Sequence, residues 1–161
     1  ALSVMTAGGI GIFATPPYAP HGPGHFLPEQ ALLIWSYTDL TDPRLKFMEK
    51  YITFQQDPAA EKPIKFGFSQ TRGWTGYALE DQLFVKKLDY YPGETYPDMG
   101  ASVEIFTNAE MMEIESLGPL VNLKPGETTY HRERWQLYKI EPVTQTEESL
   151  DKVILPLKLG S

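Results

Sequence analysis

An all-β fold is predicted for this chain by three observations. Aromatic residues are abundant, with 3 Trp, 9 Tyr and 8 Phe among 161 positions, and such side chains suit a pleated, half-buried surface. The 14 Pro and 13 Gly interrupt the chain at short intervals, which favours strands joined by tight turns over long helices. Between these breaks lie short runs of alternating or continuous apolar residues, the signature of strands. At 161 residues one β-sandwich domain is expected, long enough to bury a core without staples. It divides into 1–30 (strand and Pro/Gly-rich loop), 31–140 (sheet core) and 141–161 (helix and tail).

Each element has a local reason. Ala1 to Phe13 is apolar but broken by Gly8, Gly9 and Gly11, has no basic flank and does not start with Met, so it reads as strand and turn and not as a signal segment. Because a first strand needs a neighbour, such a start also suits part of a longer domain. Thr15 to Pro28 holds Pro16, Pro17, Pro20, Pro23 and Pro28, which cannot supply ladder donors, and is a long loop. Ala31 to Tyr37 reads as a strand and Thr38 to Pro43 as turn chemistry. Lys50–Gln56, Ile64–Ser69, Trp74–Leu79 and Gln82–Leu88 follow as four strands in an antiparallel meander. Tyr90 to Gly100 is a loop; Ser102–Thr107 then pairs with Met111–Leu117. Glu113–Leu120, a turn in Leu123–Glu127 and a last strand from about Thr128 to Ile140 read as a hairpin, with Pro125-Gly126 as a type II turn. Thr144-Gln-Thr-Glu147 is a capping box for one short helix ending before Pro156.

Composition also excludes functions. The net charge is -7, from 14 basic and 21 acidic residues, and no Lys/Arg run offsets it, so nucleic acid is not an expected partner. Without Cys there is no disulfide, thiolate metal site or cysteine nucleophile, and cytoplasmic and periplasmic locations stay open. No apolar stretch nears the roughly 20 residues of a membrane-spanning helix. Glu113, Glu115 and Glu133 offer oxygens for calcium, but no loop has regular ligand spacing, so neither metal nor cofactor is expected.

The penultimate strands carry ionisable groups on alternating positions. His131, Glu133, Trp135 and Leu137 share one face, and Arg132, Arg134, Gln136 and Tyr138 the other. Glu113 and Glu115 point to one side. Such a set forms either a satisfied polar network inside the sandwich or a sugar-binding surface.

Trp35-Ser-Tyr-Thr-Asp-Leu-Thr-Asp-Pro-Arg44, Gly73-Trp74, Phe84-Val-Lys-Lys87, Tyr96-Pro-Asp98, Glu113-Ile-Glu-Ser-Leu-Gly-Pro-Leu120, Leu123-Lys-Pro-Gly-Glu127 and the His131, Glu133, Trp135 alternation together resemble the galactose mutarotase-like superfamily, in particular its aldose 1-epimerase-like domains. The resemblance covers about two-thirds of the chain, from roughly Leu32 to Ile140, and rests on the order of the pieces. It implies a β-supersandwich that binds carbohydrate, here a partial or minimal version, because these motifs belong to the C-terminal part of longer relatives. It also implies anomer interconversion, with Glu115 (less well Glu113) as base and a histidine as acid, two groups in reach of neighbouring sugar oxygens. The family's Asn-His pair followed by an aromatic has no counterpart here: His21 and His25 lie in the Pro/Gly loop and His131 beyond the turn, so the acid stays open, with His25 as the candidate.

Further candidate contacts to a mono- or oligosaccharide are Arg72 and Lys86, whose charged donors give the stronger class of hydrogen bond. Tyr96 and Asp98 could orient hydroxyls, Trp74 could stack on a ring, and Glu113 and His131 flank the base. Two functions follow: a mutarotase-like enzyme, or a carbohydrate-binding or structural module that kept the fold and lost the acid. Open sheet edges predict a homodimer.

Overall fold

The computed structural model describes residues 1–69 and 72–159. In chain order the strands are β1 (Leu2–Met5), β2 (Ile10–Ala14), β3 (Leu32–Ile34), β4 (Leu45–Phe47), β5 (Tyr51–Gln55), β6 (Ile64–Phe68), β7 (Trp74–Leu79), β8 (Gln82–Leu88), β9 (Val103–Thr107), β10 (Met112–Ser116) and β11 (Glu133–Lys139), followed by helix α1 (Glu147–Ile154) and a 3-10 turn, Leu155–Leu157. A five-stranded sheet runs β1-β10-β9-β6-β3 and a six-stranded sheet β11-β8-β7-β2-β5-β4, with antiparallel pairing throughout. This is the expected all-β sandwich with one short C-terminal helix.

The two sheets differ because their sequences do. In β6 and β10 only alternate residues are apolar, and the inward set, Ile64, Phe66, Phe68, Met112 and Ile114, is buried. The outward set carries Lys65, Glu113 and Glu115. In β2 all five residues are buried: Phe13 enters the core between the sheets, while Ile10, Ile12 and Ala14 enter a second core that Leu150 and Ile154 of α1 cover. A strand buried on both faces needs a continuous apolar run, and one with a wet face needs alternation. Phe13 stacks on Phe68 at 5.1 Å and meets Phe54 edge-on at 5.7 Å, aromatic geometries that add to the burial itself. Gly11 lets the sheets approach, since a Cβ there would lie 2.7 Å from Met112 Sδ.

Two expected pairings are corrected. The four strands from Lys50 to Leu88 exist, but they are not one meander: β6 lies in the other sheet, β5 pairs with β2 and β4, and only β7 and β8 are sequential neighbours. The one-sided pattern of β6 explains its transfer, because its Lys65 face needs solvent. Likewise β10 and β11 are not a hairpin. β10 pairs with β1 and β9, and β11 pairs with β8 in the opposite sheet. The turn between them does form: Gly126 has φ +87 and Glu127 N donates to Lys124 O at 3.0 Å, as a type II turn requires. The last strand starts at Glu133, not Thr128, because Glu133 lies opposite Leu88, where β8 ends. β4 was not anticipated; it is three residues long and mostly exposed.

The helix cap is shifted by two residues. Thr146 is the N-cap and accepts from Ser149 N, while Ser149 Oγ accepts from Thr144 N at 3.0 Å. Glu147, the expected box partner, instead reaches the sheet and accepts from Lys50 N.

Candidate functional site

The outer face of the five-stranded sheet collects most of the acidic candidates. Glu104 on β9 lies directly opposite Glu115 on β10, a like-charge pair that destabilises a sheet unless compensated. Lys65 compensates it: its Nζ is 2.8 Å from Glu104 Oε2 and 3.0 Å from Glu115 Oε1. The same ammonium sits 4.9 Å from the centroid of the Trp35 ring, a cation–π contact. Glu104 is only 2% exposed and its Oε1 has no hydrogen-bond partner. Burial therefore pushes its carboxyl above the ordinary range, with Asp98 and Glu115 adding to the rise against the pull of Lys65. Burial, then Glu115, also raises Glu113. Lys65 itself is raised, because hydrogen bonds to Glu104 and Glu115 together outweigh its burial. Tyr37 completes the patch, its phenol raised by burial and by the surrounding carboxylates against Lys65.

A second polar cluster lies between the sheets. Lys86, on the inward face of β8, is 0% exposed. Its Nζ is 3.0 Å from Glu133 Oε1 and donates to Ile114 O at 2.9 Å and Ala1 O at 3.4 Å. Glu133 also accepts from Ser116 Oγ and, at 2.9 Å, from Trp135 Nε1. His131 Nε2 lies 2.6 Å from Ser116 Oγ. Burial holds Lys86 below its usual range, against the pull of Glu133. Burial would raise Glu133, but hydrogen bonds from Ser116, Lys86 and Trp135 bring it below the usual carboxylate range. His131 is lowered, chiefly by burial. This is not a nucleophilic relay: Ser116 is 0% exposed, and Glu133 bonds the serine and not the imidazole it would have to orient. It ties β10 to β8 and β11 across the sandwich.

The predicted site residues thus separate. Glu113, Glu115 and Asp98 come together on the outer face with Lys65, Glu104, Trp35 and Tyr37. Lys86 and His131 belong to the inter-sheet tie, and His131 reaches Ser116, whose side chain points to the face opposite that of Glu115. Trp74 is 3% exposed in the core under α1; with Arg72 it lines a cavity of about 590 Å³ bounded by Pro16, Pro17, Tyr18 and Leu155. Tyr96 is buried, stacked on Tyr90 at 5.2 Å, and accepts from Tyr91 N. His25 pairs with Glu29 at 3.3 Å in the exposed loop. The structure therefore does not bring His25 to Glu115, and no described histidine is hydrogen-bonded to that carboxylate. Lys65 and Glu104 were missed. Their signal was a charged residue inside an otherwise apolar strand, Ile-Lys-Phe-Gly-Phe and Val-Glu-Ile-Phe-Thr.

Among the described residues no group of three or more His, Cys, Asp or Glu is arranged to hold a metal ion, and no helix is long and apolar enough to cross a membrane. Fold and clusters define an all-β sandwich with a half-buried carboxylate–ammonium patch on its outer sheet. Comparison with family models, curated proteins and solved structures finds no match to the chain.

Proposed function

We propose that this protein recognises a mono- or oligosaccharide on the outer face of its five-stranded sheet, as a mutarotase-like sandwich of the supersandwich type that binds sugars without interconverting their anomers. The observation that supports it is the Lys65 cluster. Glu115 is fixed by one ammonium that buried Glu104 also holds and that itself rests on Trp35, so a hydroxyl acceptor stands ready beside an aromatic ring at little ordering cost. Glu113 and Tyr37 extend the same surface. The enzymatic alternative needs an acid within reach of the sugar oxygen next to the one Glu115 serves, and His25 is paired with Glu29, His131 with Ser116, and the His21 ring lies against Phe26.

The test is titration with mono- and oligosaccharides at millimolar concentration, followed by amide and indole NMR shifts. Saturable shifts centred on Trp35 and β10, weakened in Glu115→Gln, are expected, with the anomer relaxation of a free aldose unchanged by the protein. Absence of saturable shifts overturns sugar recognition, and relaxation faster with wild type than with Glu115→Gln reinstates the enzyme.

Pairing of two copies belongs to the same proposal. β11 is an edge strand carrying Trp135 and Leu137 at 62% and 67% exposure, an unprotected edge of the kind that recruits another chain. A dimeric mass by light scattering at micromolar concentration is expected; a monomer removes it.

A further inference from the structure

On the far side of the molecule, the outer face of the six-stranded sheet runs Leu83, Val85, Lys87 along β8. The first two are buried beneath α1; Lys87 lies beyond the helix's cover. Arg134 on β11 is directly opposite Lys87, and Arg132 shares its face two residues earlier. These three, with Arg72, line a cavity of about 320 Å³ walled on one side by Leu159, and a single carboxylate, Asp89, joins them. Like charges facing each other across an antiparallel ladder cost stability. At the Lys65 cluster the sheet resolves the same conflict with an opposite charge, yet among the described residues the side chains of Lys87, Arg132 and Arg134 make no hydrogen bond or ion pair. In a chain of net charge -7, a concave concentration of cations is the opposite of what composition produces by default.

We infer that this cavity is a binding site for a small molecule bearing a tetrahedral oxyanion, a phosphate or sulfate group, held by Lys87, Arg132 and Arg134. Guanidinium groups suit such oxygens because their planar donors pair with two at once. The cavity exceeds the size of a bare oxyanion, so the group arrives attached to an organic body. An extended polyanion is disfavoured, because the acidic remainder of the surface repels it. This site is on the opposite face from the proposed saccharide surface and does not depend on it.

The probes are inorganic phosphate, inorganic sulfate and phenyl phosphate, with chloride at matched ionic strength as control. Saturable amide shifts at Lys87 and Arg132–Arg134 are expected at millimolar concentration, with phenyl phosphate binding more tightly than phosphate. Arg134→Gln should weaken binding about tenfold, the loss of one charge-assisted contact, and Lys139→Gln, on the other face of the same strand, should leave it unchanged. Shifts that chloride reproduces, equal weakening by Lys139→Gln, or binding to a heparin oligosaccharide but not to phosphate or sulfate each overturn the inference. Both variants change exposed side chains, and a wild-type-like spectrum away from the site confirms their fold.

Discussion

Glu133→Ala is expected to lower unfolding stability by about 3–5 kcal/mol, the range for breaking a buried ion pair by removing one member. The partner left behind is Lys86, fully buried, with Glu133 itself only 11% exposed, so water cannot replace the lost carboxylate. Its two carbonyl contacts, Ile114 O and Ala1 O, stabilise an ammonium without neutralising it. Ser116 and Trp135 lose an acceptor in the same step. The double variant Lys86→Met with Glu133→Gln should recover most of the deficit, since removing both charges leaves no buried ion to desolvate. Urea denaturation measures both, and a loss below about 1 kcal/mol for Glu133→Ala would show the pair to be solvated. The pH dependence supplies a second check. Because Lys86 is already below its usual range, removing Glu133 lowers it further. The unfolded chain then binds more protons than the folded one at alkaline pH, so the variant regains stability as pH rises. In wild type the acid side has the same sign: Glu133 is depressed, and its contribution, present above the unfolded carboxylate value, is lost as pH falls through the folded one. His131, also depressed, adds a loss as pH falls below 6.5, because the unfolded imidazole takes its proton first.

How far such features were legible in the sequence depends on how far along the chain their cause lies. The grouping of His131, Glu133 and Trp135 needs only the two-residue period of a strand, and the structure places them in one network. The partners Lys86 and Ser116 come from two different sheets and carry no local mark. Pro125-Gly126 specifies a turn but not which strands leave it, and β11 pairs with β8, far upstream, in place of β10. The difference between Ile64–Phe68 and Tyr51–Gln55, one carrying a charged Lys65 between apolar residues and one without any charge, did encode sheet membership. Reading them as consecutive meander strands gave chain order more weight than burial pattern. The outer cluster shows the same limit: Glu113 and Glu115 were visible as a pair, but their meeting with Lys65 and Glu104 requires the order β10-β9-β6, which is set by long-range pairing.

That cluster carries the second large effect. Lys65→Met should destabilise the protein by about 3 kcal/mol near neutral pH, the lower end for a broken buried pair, because Lys65 and Glu115 are 19% and 18% exposed while Glu104 is 3% exposed. Without the ammonium, Glu104 faces Glu115 across the ladder with Glu113 and Asp98 nearby. A group whose folded pKa is raised makes the folded state bind more protons, so stability falls as pH rises through that value. Glu104 and Glu113 are raised even with Lys65 present, and its loss raises them further. The deficit of Lys65→Met must therefore shrink as pH falls towards 4.5, a direction opposite to that of Glu133→Ala, which recovers in alkali. Glu104→Gln separates charge from packing: it keeps the shape, removes the most buried carboxylate and leaves Lys65 to Glu115, so on its own it should cost less than about 1 kcal/mol. Combined with Lys65→Met, it should make the loss smaller and flatter with pH. A penalty for Lys65→Met that is independent of pH, or unchanged by Glu104→Gln, would mean that the stem of Lys65 packed on Trp35 stabilises this face, and not the charge it places between two opposed carboxylates.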